Sequence, residues 1–166
     1  MSEQGAARIA WPTGSSEALV SELLTRSAFT GGLGYELVVA EPDRLVLRAH
    51  GAGQRQATGD WVGEALEVLC SVAAGTLLLV PGEAAGTMVG AYAASVRTVF
   101  HLRASSSAWV EAEVRPVRRG RTQATVEATA RDAEGRELVR MLSQHVALPE
   151  PVVFSLAALR RQARRE

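Results

Sequence analysis

Residues 57–80, ATGDWVGEALEVLCSVAAGTLLLV, carry four oxygen-bearing side chains at steps of four, three and four: Asp60, Glu64, Glu67 and Ser71. On a helix that spacing aligns all four on one stripe. The remainder of the segment is apolar enough to be buried on nearly every side. A carboxylate on such a helix either sits at a wet edge or is there to do chemistry. Glu67, between Leu66 and Val68, is the candidate for chemistry. A partly desolvated carboxylate can take a proton from water or attack a carbonyl carbon, and it needs no histidine to activate it as a serine or cysteine would. The other reading is a solvated stripe with no reaction attached.

The neighbouring candidates divide the same way. Glu64 could equally be the acid, but its place near the helix start also suits the positive end of the helix dipole. Thr58 is either the N-cap of the helix or a reactive hydroxyl. Ser71 could position a water, or beside Ala73 and Ala74 it could simply permit close packing. Gly59 and Gly63 would let a substrate approach the backbone at the helix N-terminus, where free N–H groups can stabilise a developing oxyanion. Cys70 reads as a small buried hydrophobe, since no histidine is near it in sequence and burial raises a thiol pKa. His50, His101 and His145 are far apart, without metal-ligand spacing, and suit ordinary hydrogen bonds.

Absences narrow the chemistry further. The chain has no lysine, which excludes a Schiff base and a phosphate-loop lysine, and no asparagine. GAGQRQATG lies between a strand and a helix as a dinucleotide loop would, but Gln56 replaces the third glycine and no strand–helix alternation follows. Arg55 in that loop either meets a phosphate or is solvated. No metal or cofactor is called for.

The elements that must hold these residues follow from patterning. Residues 1–13 read as a loose leader, and GSSEALVSELLTRSAF as a helix with Leu19, Leu23 and Leu24 at helical spacing. YELVVA and RLVLRAH, separated by Glu41, Pro42 and Asp43, form a hairpin. After the long helix every segment alternates. MVGAYAASVRTVFHLRA is a long strand; AWVEAEVRPVR turns Val110, Ala112 and Val114 to one face; TQATVEATARD turns Ala124, Val126, Ala128 and Ala130 inward. The turn Asp132–Gly135 leads to RELVRMLSQHVAL, which Pro149 and Pro151 end, and residues 150–166 read as a basic helix or tail. An antiparallel sheet with one apolar face needs a cover, and the central helix is the one element long and apolar enough. The expected fold is α+β: residues 14–149 as a hot-dog domain, five to six antiparallel strands wrapped around a long central helix.

With 18 basic and 18 acidic residues, nothing calls for nucleic acid or a membrane as partner. The single cysteine forms no intrachain disulfide. No charged-then-apolar leader opens the chain, so a cytoplasmic protein is expected. Arg160, Arg161, Arg164 and Arg165 suit a helix C-terminus or a patch for anionic phosphates. A curled sheet of this kind leaves a long edge strand, and pairing of edges predicts a dimer or a dimer of dimers.

The stretches GLGYELVVAEPDRLVLRAH, GAYAASVRTVFHLRA and WVEAEVRPVRRGRTQATVEATARDAEGRELVR together resemble the hot-dog thioesterases, in particular the phenylacetyl-CoA-type acyl-CoA thioesterases. The resemblance runs from Gly32 to Leu148 and implies an acyl-CoA or related thioester as ligand, bound and hydrolysed between subunits. It also implies a His-Gly-Gly entry to the helix and an acid two turns on, whereas this chain has Val62-Gly63-Glu64 and Ser71 there. The fluoroacetyl-CoA-type branch places a Thr before the helix and a Glu within it, which Thr58 and Glu67 resemble with one extra residue between them. Its strand histidine falls at Val96 or Arg97 and is absent. A hot-dog domain that binds a thioester without cleaving it, or serves as a regulatory dimer module, is the other reading.

Overall fold

A computed structural model of the chain describes residues 15–26, 30, 32–51, 54–81, 87–155, 157 and 161. Helix α1 (Ser15–Arg26) leads to the hairpin β1 (Tyr35–Glu41) and β2 (Arg44–Ala49). Helix α2 (Gly63–Leu77) follows, then β3 (Leu79–Pro81), β4 (Thr87–His101), β5 (Val110–Arg119), β6 (Gln123–Asp132) and β7 (Glu137–Ser155). All strands join one sheet in the order β1-β2-β5-β6-β7-β4-β3, with every pairing antiparallel. The seventh strand beyond the expected five to six is the three-residue β3.

The sheet curls around α2, which packs against β2, β4, β5, β6 and β7. The reason lies in the alternation. Val110, Ala112 and Val114 of β5, and Ala124, Val126, Ala128 and Ala130 of β6, are all buried on the inner face. Alanines there let the helix approach the sheet closely, and α2 fills the concavity with Leu66, Leu69, Cys70, Ala73, Ala74 and Leu77. Full burial of each leucine contributes about 1.5–3 kcal/mol. This is the hot-dog architecture expected from the patterning.

Two boundaries differ from the sequence reading. The helix does not span 57–80. Its N-cap is Val62, which makes no side-chain cap, so Thr58 is not the cap. The preceding residues have other backbone partners: Trp61 pairs with Arg55 in an isolated bridge, Gln56 N–H bonds Asp60 O at 2.7 Å, and Gly59 closes a turn at φ +90°. Asp60 therefore stands outside the helix and off the stripe. At the other end of the chain, β7 continues past Pro149 and Pro151 to Ser155. Ala147 pairs with Tyr92 and Val152 with Gly90, so both prolines lie within a bulge where no ladder N–H is required. The leader at 1–13 and most of the expected C-terminal helix lie outside the described residues. No helix among the described residues is long and apolar enough to cross a membrane.

Candidate functional site

The chain reverses after α2, so the far end of β4 returns to the start of the helix. There His101, the last residue of β4, meets Glu67, one turn into α2, with Nε2 and Oε1 2.6 Å apart. The two side chains are 48% and 40% exposed, which makes the pair a wet rim rather than a core contact. The ring lies against the first residue of α2. A Cβ added at Gly63 would stand 3.1 Å from His101 Cε1 and 3.2 Å from Nδ1, so Gly63 makes room for the imidazole.

The helix start adds donors. Ala65 N–H and Leu66 N–H both bond Val62 O, at 3.0 and 3.2 Å. Among the described residues no acceptor meets the Gly63 or Glu64 N–H, as expected of the first turn of a helix. A carboxylate at Nε2 favours the proton on that nitrogen and leaves Nδ1, the nitrogen facing Gly63, open to accept one. The corner therefore combines an acid–base couple with backbone N–H groups suited to a developing negative charge.

The other expected residues are placed as follows. Glu64 is exposed in the first turn of α2. Thr58 is exposed and donates to Asp60 Oδ2 at 3.3 Å. Gly59 serves the turn, with open space where a side chain would be. Ser71 turns its hydroxyl toward the sheet and Met141 Sδ at 3.7 Å. The stripe thus runs from solvent at Glu64 through the half-buried Glu67 to the interior at Ser71. Cys70 is buried and its thiol is pushed up to about 12, by burial first and the nearby Glu67 second, so it is no nucleophile.

Arg55 is half-buried, and its guanidinium is taken up by main-chain carbonyls. Its guanidinium donates to the carbonyls of Gly59, Ser106 and Ser107 and lies over the Trp61 ring at 4.9 Å. Arg161 is exposed, whereas Arg160, Arg164 and Arg165 lie outside the described residues. His50 pairs with Glu36 at the surface, and His145 bonds Ser143 in the interior at 2.9 Å. No three His, Cys, Asp or Glu among the described residues gather where they could hold a metal ion.

His101 is the residue the sequence reading left as an ordinary strand histidine. A helix of 15 residues is ~22 Å long, and a flat strand covers that in about seven residues. Counted from Gly90, beside the end of the helix, that rule points near Arg97. Register shifts at Gly90/Tyr92 and Ala94/Val96, together with the curl of β4, delay the return to His101. Parity was the usable signal: His101 pairs with the buried Val139 and so faces inward.

Residues 61–139, which include both Glu67 and His101, match the model of the thioesterase superfamily. No curated protein matches the sequence significantly. Among solved structures the fold is similar to a Haemophilus influenzae thioesterase, at 19% identity and TM-score 0.69, covering 89% of this chain and 96% of that one. It is also similar to a thioesterase family protein of Silicibacter pomeroyi (19% identity, TM-score 0.67, covering 80% and 98%). A third is a hypothetical thioesterase of Streptococcus pneumoniae solved with coenzyme A (16% identity, TM-score 0.58, covering 69% and 85%). The fold is therefore similar to that of these thioesterases, and the segment matched by the family model holds both Glu67 and His101.

Proposed function

We propose that this chain is an acyl-CoA thioesterase whose reaction is carried by the Glu67–His101 couple. The observation behind this reading is the 2.6 Å contact between Glu67 and His101 at the rim of the helix start. In this reading the thioester carbonyl lies over the Gly63 and Glu64 amides. The couple takes a proton from water as its oxygen attacks the carbonyl carbon, and the N–H groups stabilise the oxyanion. Collapse breaks the C–S bond, and the proton returns to the leaving thiolate, giving a free acid and a thiol. Gly63 keeps the backbone open to the substrate, and Glu64 lies at the entrance. Thr58, Gly59 and Ser71 keep structural roles. The neighbour solved with coenzyme A supports an acyl-CoA as ligand.

The protein would act as a homo-oligomer. β3 pairs with Met88–Gly90 alone, so from Tyr92 to His101 the outer edge of β4 has no neighbour among the described strands. A strand edge of that length is a liability that a second copy removes. Val96, Phe100, Leu142 and Val146 are exposed beside it. The site lies at the end of that edge, hence at a subunit interface.

The test is release of free thiol from short, branched, aromatic and long acyl-CoAs, by the parent and by Glu67→Gln. The expected outcome is turnover of at least one ester by the parent, with Glu67→Gln binding it normally and turning it over about 10²–10⁴ times more slowly. A parent that binds esters but cleaves none would make this a binding protein. Parental turnover in Glu67→Gln would remove the couple from the mechanism.

A further inference from the structure

Glu67 and His101 come from different elements, and their 2.6 Å contact requires the start of α2 and the end of β4 to be held at one height. Three segments meet at that joint: the small hairpin 55–61 that enters α2, the loop 102–109 that leaves β4, and the turn after β6. Trp61 is buried, and its N–H bonds Ser105 O at 2.8 Å while its indole Nε1 bonds Ser107 O at 2.9 Å. Ser105 in turn donates to the buried Asp132 carboxylate at 3.0 Å, and Ala133 N–H bonds Ser107 Oγ at 3.1 Å. Asp132 is itself fixed by Arg136 Nε at 2.8 Å and by two backbone N–H groups of the turn. The serine loop is thereby seated on the β6–β7 turn.

Arg55 spans the joint. One of its guanidinium nitrogens donates to Gly59 O at 2.9 Å on the helix side and to Ser106 O at 3.0 Å on the strand side, and the other donates to Ser107 O. Its plane stacks on Trp61. Among the described residues its partners are carbonyls, with no carboxylate to neutralise it. A charged fork committed to three main-chain carbonyls in two segments fixes their separation, which a lysine, with a single compact ammonium on a flexible stem, does not.

We propose that Arg55 is a positioning residue that, with Trp61, sets the height of the α2 start against the β4 end and hence the Glu67–His101 geometry. The proposal rests on the thioesterase reading for its kinetic consequence but not for its structural one. A misplacement of about 1 Å at such a couple lowers turnover about 10²-fold.

The experiment compares the full-length parent, Arg55→Lys, Trp61→Phe and, as a surface control, Arg115→Lys. Thermal unfolding, kcat and KM for the best acyl-CoA, and the pH titration of the His101 ring by NMR are read for each. Arg55→Lys is expected to lower kcat about 10²-fold with KM within roughly threefold and to shift the His101 titration. Trp61→Phe, which removes the indole N–H and keeps an aromatic face for the guanidinium, should move both in the same direction by less. The control should move neither. A folded Arg55→Lys with parental kcat and parental His101 titration overturns the proposal. If Arg55→Lys fails to fold, parental values in Trp61→Phe overturn it instead. If the parent cleaves no thioester, the thioesterase reading fails by itself, and the His101 titration still decides whether Arg55 sets the pair.

Discussion

Two hydrogen-bonded histidine pairs stand on the inner face of the same β4–β7 ladder, and they differ in everything that decides reactivity. Glu67 and His101 meet at the rim, about half exposed, beside free helix N–H groups. Ser143 and His145 meet inside, at 0% and 4% exposure, with the serine hydroxyl also near Val126 O. A serine bonded to a histidine is by residue type the more familiar nucleophilic pair. Here it is sealed from solvent, and no acid among the described residues orients the imidazole. Burial, and then the Arg97 charge, lower the His145 pKa and favour the neutral ring. The difference teaches that residue type proposes a site, while exposure and the third group decide it.

The comparison breaks most visibly at Gly63. Gly63→Val puts a branched Cβ 3.1 Å from His101 Cε1, closer than ordinary contact, so the ring must give way while the helix keeps its packing. Thioester turnover should fall about 10²-fold with a native circular dichroism spectrum. Retained turnover would mean that the ring position does not matter.

The sealed pair should answer in stability and not in rate. Ser143→Ala leaves the buried His145 Nε2 without its partner, at a cost of about 1–3 kcal/mol in denaturant unfolding. Its kcat should equal the parent's. A loss of turnover without a loss of stability would make the interior pair the working one.

The smallest effect is in pH. His145 has a folded pKa below the ordinary 6.5, so between the two values the unfolded chain binds more protons than the folded one. Stability should therefore rise with pH through that window and fall as the pH drops below about 6.5. Thermal melts of His145→Gln should lack that part of the slope. An unchanged slope would assign it to other groups.

Much of the fold was legible because it rests on local periodicity. Inward alanines on β6 and the hairpin at Pro42 and Asp43 follow from alternation and turn chemistry, and the structure has both. Boundaries were less legible. Thr58, Gly59 and Asp60 are kept out of α2 by a tight turn in which Gly59 N–H bonds Gln56 O and Gln56 N–H bonds Asp60 O, while the next residue, Trp61, bonds Ser105 O, distant in sequence. β7 runs through two prolines because a bulge opposite β4 accommodates them, and no local signal announces a bulge. At the site, Glu67 was readable from its apolar surroundings. For His101 the parity was readable but the partner was not, because its meeting with Glu67 depends on how far β4 bends and slips before returning to the helix. The partners of Arg55 were hidden for the same reason, since Ser106 and Ser107 lie on a loop that only the closed fold brings near.

The most direct measurement of the central claim is a double-mutant cycle on kcat/KM with Glu67→Gln, His101→Gln and the double variant. If the couple acts as one unit, each single change should remove most of the rate, about 10²-fold or more, and the double variant should be little slower than the worse single. Losses that multiply in the double variant, or a His101→Gln enzyme at the parental rate, would contradict it.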